Sequence, residues 1–214
     1  DNENEILFHT KSKISKIFNA DVERIGITPN FSLAYNAVLD GLPLDSHFLC
    51  LEEDYFSVLM PIKSRGFKHH ALPISEEVES DIYDYVSTHK PDILALSNVQ
   101  YLSGIKINTE FFTKLKQDFP NLRILVDATQ FLGTEHFDFK KSGIDLLISS
   151  CYKWLNAGFG NAIALISEEF YQELSPKQIG SNSYLDKVNL IEDPMGFLEP
   201  GPYDLNPIGA LSTA

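Results

Sequence analysis

Four short segments carry polar groups at places where apolar runs end. Thr28-Pro29-Asn30-Phe31-Ser32 is a turn that feeds a helix-period run beginning at Leu33. Backbone N–H groups at a helix start, joined by a hydroxyl, form a ready site for an anion such as phosphate; the same residues also serve simply as a helix cap. Ile124 to Gln130 (ILVDATQ) is an apolar run that ends in Asp127, a carboxylate that either caps the next turn or stays ionised against a cationic partner. Ser149-Ser150-Cys151-Tyr152-Lys153-Trp154 follows another apolar run. A lysine held among apolar groups loses its proton readily and attacks a carbonyl carbon to form an imine, whereas a solvated surface lysine does neither. Gly158 and Gly160, just beyond, let the backbone turn tightly or approach a ligand. Ser97 to Gly104 (SNVQYLSG) adds amides and hydroxyls of the kind that orient a small ligand.

These segments need a scaffold, and the pattern around them supplies one. Seven short apolar runs read as strands: Arg24–Thr28, His47–Leu51, Phe67–Pro73, Asp92–Ser97, Leu122–Asp127, Asp145–Ser150 and Ala162–Ser167. Helix-period segments alternate with them. Ile14, Ile17 and Phe18 share one face; Leu33, Ala34, Ala37 and Val38 form a stripe that Asp40-Gly41 ends. Val58 to Ile62 is a short helix. Val78, Ile82 and Tyr85 form a face that stops at Lys90-Pro91, and Phe111, Leu115 and Phe119 another, with Phe111-Phe112 and Phe119 read as core. Continuous apolar strands separated by helices predict an α/β fold with three α/β/α layers and a mostly parallel seven-stranded sheet. Such a sheet binds its ligand at the carboxyl ends of its strands, which is where the four polar segments fall. Beyond Ser175-Pro176 the periodicity weakens, and Gly180–Ser183 and Glu199–Pro202 read as loops.

Composition narrows the function classes. The 214 residues carry 17 Lys+Arg against 30 Asp+Glu, a formal charge of -13, which disfavours non-specific nucleic-acid binding and docking on an anionic membrane. No apolar run approaches the roughly 18 residues of a membrane span. Cys50 and Cys151 form no Cys-x-x-Cys pair, so a reducing, cytoplasmic setting is expected. The start, Asp1 to Glu5, has neither an initiator Met nor the layout of a signal peptide. His69-His70 point to opposite faces of a strand and are read as solvated residues rather than ligands; no metal site is expected. Glu76-Glu77-Val78-Glu79 suits a helix start. A Rossmann-type nucleotide site lacks its Gly-x-Gly-x-x-Gly after the first strand.

In order and spacing, the turn at Phe31-Ser32, the amide loop, the strand Asp with Gln three later, and Ser-x-x-Lys-Trp together resemble the fold-type I pyridoxal-phosphate enzymes. The closest likeness is to the class V aminotransferase and cysteine desulfurase-like group, over about Thr28 to Gly201. The resemblance implies pyridoxal 5'-phosphate as cofactor, Lys153 as the lysine that forms the Schiff base, and Asp127 as the acid paired with the pyridine nitrogen. A protonated ring nitrogen makes the cofactor an electron sink for a carbanion at the substrate α-carbon. By the same likeness Gln130 and Gln100 lie near the phenolic oxygen. Ser150 and Tyr152 match a Ser-x-His-Lys pattern that holds the phosphate, with Tyr in place of His; Phe31 and Ser32 match a Gly-Ala/Thr-Thr turn that binds the same group. Tyr55, in Glu53-Asp54-Tyr55-Phe56-Ser57, sits where the family often has Glu-His-His-Ser, which implies that it stacks on the ring face.

The implied activity is aminotransfer on an amino acid or related amine, with Lys153 moving the proton. A lyase or epimerase of the same fold shares these residues, and a non-catalytic scaffold member is favoured if Phe31 blocks the phosphate turn or Lys153 points away from Asp127. Both cysteines precede Lys153, which counts against persulfide chemistry on this stretch. Glu199-Pro200-Gly201-Pro202 aligns with a Glu-x-Gly-Thr segment that reaches a phosphate across a dimer interface, but Pro202 has no hydroxyl. A homodimer is expected from the resemblance. Against the longer chains of the family, residues 1–200 read as the large cofactor domain and 201–214 as the start of a connection to a small carboxyl-terminal domain. The arginines Arg24, Arg65 and Arg123 match no substrate-carboxylate position.

Overall fold

The computed structural model describes residues 2–186, 188–202 and 204–214, with the side chains of 2–4 left aside; Asp1, at the head of the acidic start, lies outside the described residues. The elements run α1 (Asn2–Phe18), β1 (Ile25–Thr28), α2 (Phe31–Asp40), β2 (His47–Leu51), α3 (Phe56–Ser64), β3 (Lys68–Leu72), α4 (Val78–His89), β4 (Ile93–Ser97), α5 (Thr109–Asp118), β5 (Arg123–Asp127), α6 (Phe139–Ser142), β6 (Leu146–Ser150), β7 (Ala162–Ile166), α7 (Glu168–Glu173), β8 (Tyr184–Asp186), β9 (Ile191–Glu192) and α8 (Leu205–Thr213). Seven strands form one sheet in the order β1-β7-β6-β5-β4-β2-β3. β7 runs antiparallel to both β1 and β6, and the other pairs are parallel.

Both faces of the sheet are buried, because successive apolar residues of each strand point to opposite sides. Leu94, Leu96, Ile124, Val126 and Leu147 enter one core with Ile14 and Phe18 of α1, Ile82 of α4 and Phe112 and Leu115 of α5. Ile93, Ala95, Leu125, Leu146 and Ile148 enter the other with Ala34 and Val38 of α2, Ile62 of α3 and Phe170 of α7. This is the three-layer α/β/α arrangement. At one edge, β3 keeps Lys68, His69 and His70 exposed, a common guard against edge-to-edge pairing. His70 is more than solvated, since its ring stacks on Tyr85 at 4.5 Å. At the other edge, Glu199 accepts the Ile27 N–H at 2.6 Å and pairs with Lys11 at 2.7 Å, so a buried carboxylate seals β1.

Two helix faces differ from the sequence reading. Leu33 and Ile17 are exposed, at 54% and 60%, since each starts or flanks a stripe whose other members fill the core. Of the aromatic residues read as core at α5, Phe112 is fully buried, and Phe111 and Phe119 are partly buried against the same cluster. The region after Pro176 is more ordered than the loops expected there. It holds the β8–β9 ribbon and α8, whose Ile208 is buried in the first core. The ribbon buries neither face, so Leu185 and Ile191 stay exposed and no alternation marks it.

Candidate active site

The carboxyl ends of β1, β4, β5 and β6 open on one rim, where Thr28 and Ser150 both pair with Ala162 and Ser97 pairs with Asp127. A cavity of about 180 Å³ lies there. Of the residues singled out from sequence, Phe31, Ser32, Tyr55, Asp127, Gln130, Ser150, Tyr152 and Lys153 line it.

The anion end is built by α2. Asn30 caps the helix through Leu33 N at 3.0 Å, and the Phe31 N–H donates to Ser150 Oγ at 3.0 Å. The capping and anion readings of this turn are therefore compatible: the cap fixes the helix start that aims N–H groups and the Ser32 hydroxyl at the cavity. Ser32 Oγ bonds Ser57 Oγ at 2.9 Å, joining the starts of α2 and α3. The Phe31 ring does not block the turn. It is buried in the second core and stacks on Tyr35 at 5.3 Å.

Asp127 lines the same cavity. It accepts the Thr129 N–H at 2.9 Å, while Thr129 Oγ1 accepts the Ser150 N–H at 3.1 Å and its hydroxyl bonds Asp127. Burial pushes the Asp127 carboxyl up to about 6, against the pull of the Thr129 hydrogen bonds; the Asp54 charge adds to the rise and Lys153 opposes it. At neutral pH the group is thus an anion held in apolar surroundings, a strong partner for a buried cation. Lys153 faces the same cavity, with Nζ 5.8 Å from the Tyr152 ring centroid. Tyr152 stacks on Phe159, and its hydroxyl is raised by burial and then by Tyr55 and Asp127. Tyr55 meets Tyr101 edge-on at 5.4 Å.

Gln100 is the exception among the expected residues. The chain alternates, so Val99 and Tyr101 face the cavity while Gln100 turns inward. A tight turn closed by the Val99–Lys106 bridge holds it there, its Nε2 on Ser97 O at 2.8 Å. Asn30, Ser97, Val99, Tyr101 and Thr129 line the cavity without having been singled out; all lie within the four polar segments, which was the available signal. Arg24, Arg65 and Arg123 are committed elsewhere, to Glu168, Asp40 and Asp145 with Glu173 respectively. Cys50 and Cys151 are fully buried with thiols pushed far up by burial, Cys151 to about 12. Neither is a nucleophile. Among the described residues there is no group of His, Cys, Asp and Glu that could hold a metal, and no helix long and apolar enough to cross a membrane.

Comparison with known proteins follows the same lines. A probable cysteine desulfurase of Mycoplasma genitalium is 26% identical over 97% of this chain and 54% of its own length. A cysteine desulfurase structure from Thermococcus onnurineus NA1 superposes with a TM-score of 0.84 at 22% identity, over 97% of this chain and 55% of that one. A mutant of C-DES with glycine covalently linked to its PLP cofactor superposes at 0.87 and 16% identity, over 99% and 59%. The chain spans about half the length of the curated relatives it matches. The family model described as aminotransferase class-V matches residues 2–199, which takes in every strand of the sheet and every residue of the cavity. On that extent of agreement, the chain belongs to the aminotransferase class-V family.

Proposed function

We propose that the cavity binds pyridoxal 5'-phosphate and that the chain is the cofactor-holding part of an enzyme acting on an amino acid or related amine, with aminotransfer as the reaction. One observation carries this reading: a buried carboxylate (Asp127), an amine (Lys153) and a helix start with hydroxyls (α2, Ser32, Ser150) converge on a single cavity. That donor set fits the cofactor's three functional parts, a basic ring nitrogen, an aldehyde and a phosphate. Phe31 N–H, Ser32, Ser150 and Tyr152 would hold the phosphate, Asp127 the ring nitrogen, and Tyr55 the ring face. Gln130 stands ready for the phenolic oxygen; Gln100 supports the wall from behind. When bound, the cofactor supplies an electron-withdrawing ring and a carbonyl. Lys153 would attack that carbonyl and move the proton at the substrate α-carbon, while ionised Asp127 keeps a proton on the ring nitrogen.

A second reading, desulfurisation of cysteine, is favoured by the relatives. It requires a mobile cysteine from outside these residues, since Cys50 and Cys151 are buried. We also propose residues 1–200 as the cofactor domain, 201–214 as the start of a connection to a further domain, a homodimer, and a cytoplasmic setting. After mixing with pyridoxal phosphate and removal of the unbound cofactor, the protein should retain a visible absorbance band that Lys153→Ala abolishes without changing the melting temperature of the cofactor-free protein. A protein that stays colourless overturns the reading. Amino acids added singly, with keto acid, sulfide and alanine measured, separate the two reactions.

A further inference from the structure

We propose that Asp54 is a positioning residue of this site: its carboxylate clamps the Tyr55 and Ser97 ends of the cavity wall together and sets a second buried negative charge behind Asp127. The proposal rests on the reading of the cavity as a pyridoxal-phosphate site. Asp54 lies in the short loop between β2 and α3 and is 3% exposed. One oxygen accepts the Tyr55 N–H at 2.7 Å and the other the Ser97 N–H at 2.8 Å. The Ser97 hydroxyl and the Gln100 amide also reach it. Ser97 is the register partner of Asp127 on the neighbouring strand. One side chain therefore fixes both the residue that presents an aromatic ring to the cavity and the strand end beside the acid.

The donors around Asp54 are neutral, and no Lys or Arg pairs with it among the described residues. A buried carboxylate without a counter-ion acts strongly on its neighbours, because little water screens it. The groups that face it are Tyr35 from α2, Cys50 from β2 and Asp127 from β5. Tyr35 and Cys50 are both raised by burial and stay neutral through the physiological range. The Asp54 charge is thus felt by Asp127, and by a proton shared between Asp127 and a ring nitrogen. Two carboxylates on one side of a cation hold its proton more firmly than one. Asp54 need not touch the cofactor to do this.

The test compares wild type with Asp54→Asn, Asp54→Ser as a smaller neutral replacement, and Asp54→Glu, which keeps the charge. The measurements are affinity for pyridoxal phosphate, the pH midpoint of the bound cofactor's visible band, and melting of the protein without cofactor. Loss of the charge should weaken binding about tenfold and lower the midpoint by about one pH unit, with Asp54→Glu returning the midpoint toward wild type. With 1-deazapyridoxal phosphate, which has carbon in place of the ring nitrogen, Asp54→Asn should lose less affinity than it does with pyridoxal phosphate, since only the clamp is then felt. A neutral variant with the wild-type midpoint, or one that weakens both cofactors equally, overturns the proposal and leaves Asp54 a loop anchor. A wild type that binds no pyridoxal phosphate overturns the cofactor reading instead, and this one with it.

Discussion

Asp127→Asn should make the protein without cofactor more stable at neutral pH while impairing it as a cofactor site. The carboxyl is ordinary in the unfolded chain, near 3.8, and lies at about 6 in the fold, a difference worth about 3 kcal/mol. Below about pH 4 both states carry the proton. Between about pH 4 and 6 the unfolded chain releases it first, so stability falls as pH rises through that window and then levels off. Above it the fold holds a charge that its surroundings disfavour. Asparagine keeps the shape and the acceptor for Thr129 N–H but never ionises. Urea unfolding at pH 7.5 should therefore show the variant up to about 3 kcal/mol more stable, or roughly 6–12 °C in melting temperature for a chain of this size. The advantage should vanish near pH 4. Affinity for pyridoxal phosphate should move the other way, since the ring nitrogen loses its anionic partner. Wild type and variant with parallel stability–pH curves between 4 and 7.5 would refute the claim that Asp127 is a disfavoured buried charge.

Other perturbations test the anion end and the core. Ser150→Ala removes the acceptor of Phe31 N–H and a phosphate-facing hydroxyl; affinity for pyridoxal phosphate, read by the same band, should fall about 5–10-fold for one lost hydrogen bond, with pyridoxal lacking the phosphate unaffected. Phe112→Ala empties a fully buried site in the first core and should cost about 3–5 kcal/mol in urea unfolding; a loss below 1 kcal/mol would mean that α5 is not seated as described.

The sheet was legible because its strands are buried on both faces, and continuous runs such as Ile124–Asp127 and Leu146–Ser150 have no other stable home in a chain that alternates with helices. The strand ends stood out for the opposite reason, as polar residues placed where apolar ones stop. Gln100 was misjudged because residue type was read without its side of the chain: the turn at Gly104 keeps the local alternation, and Val99 and Tyr101 take the cavity side. Asp54 was passed over because an acid in Glu52-Glu53-Asp54 looks like a solvated loop, and only the tertiary fold brings Ser97 N–H to it. The β8–β9 ribbon escaped notice because a two-stranded hairpin with both faces wet has no hydrophobic period to read.

The sealing of β1 by Glu199 has a consequence for how this chain comes to be made. Among the described residues, 25–28 pair only with residues 162–165, and the other edge of the strand is met by an acid still further along. β1 thus finds its strand partner only after residues 29–161 have been made. Until then it is a short apolar segment with unpaired backbone groups, with α1 and α2 the helices at hand to cover it. Contacts so distant along the chain form slowly and leave sticky intermediates exposed. A nascent chain halted before residue 160 should depend on chaperones to stay soluble, and one extended past residue 199 should not.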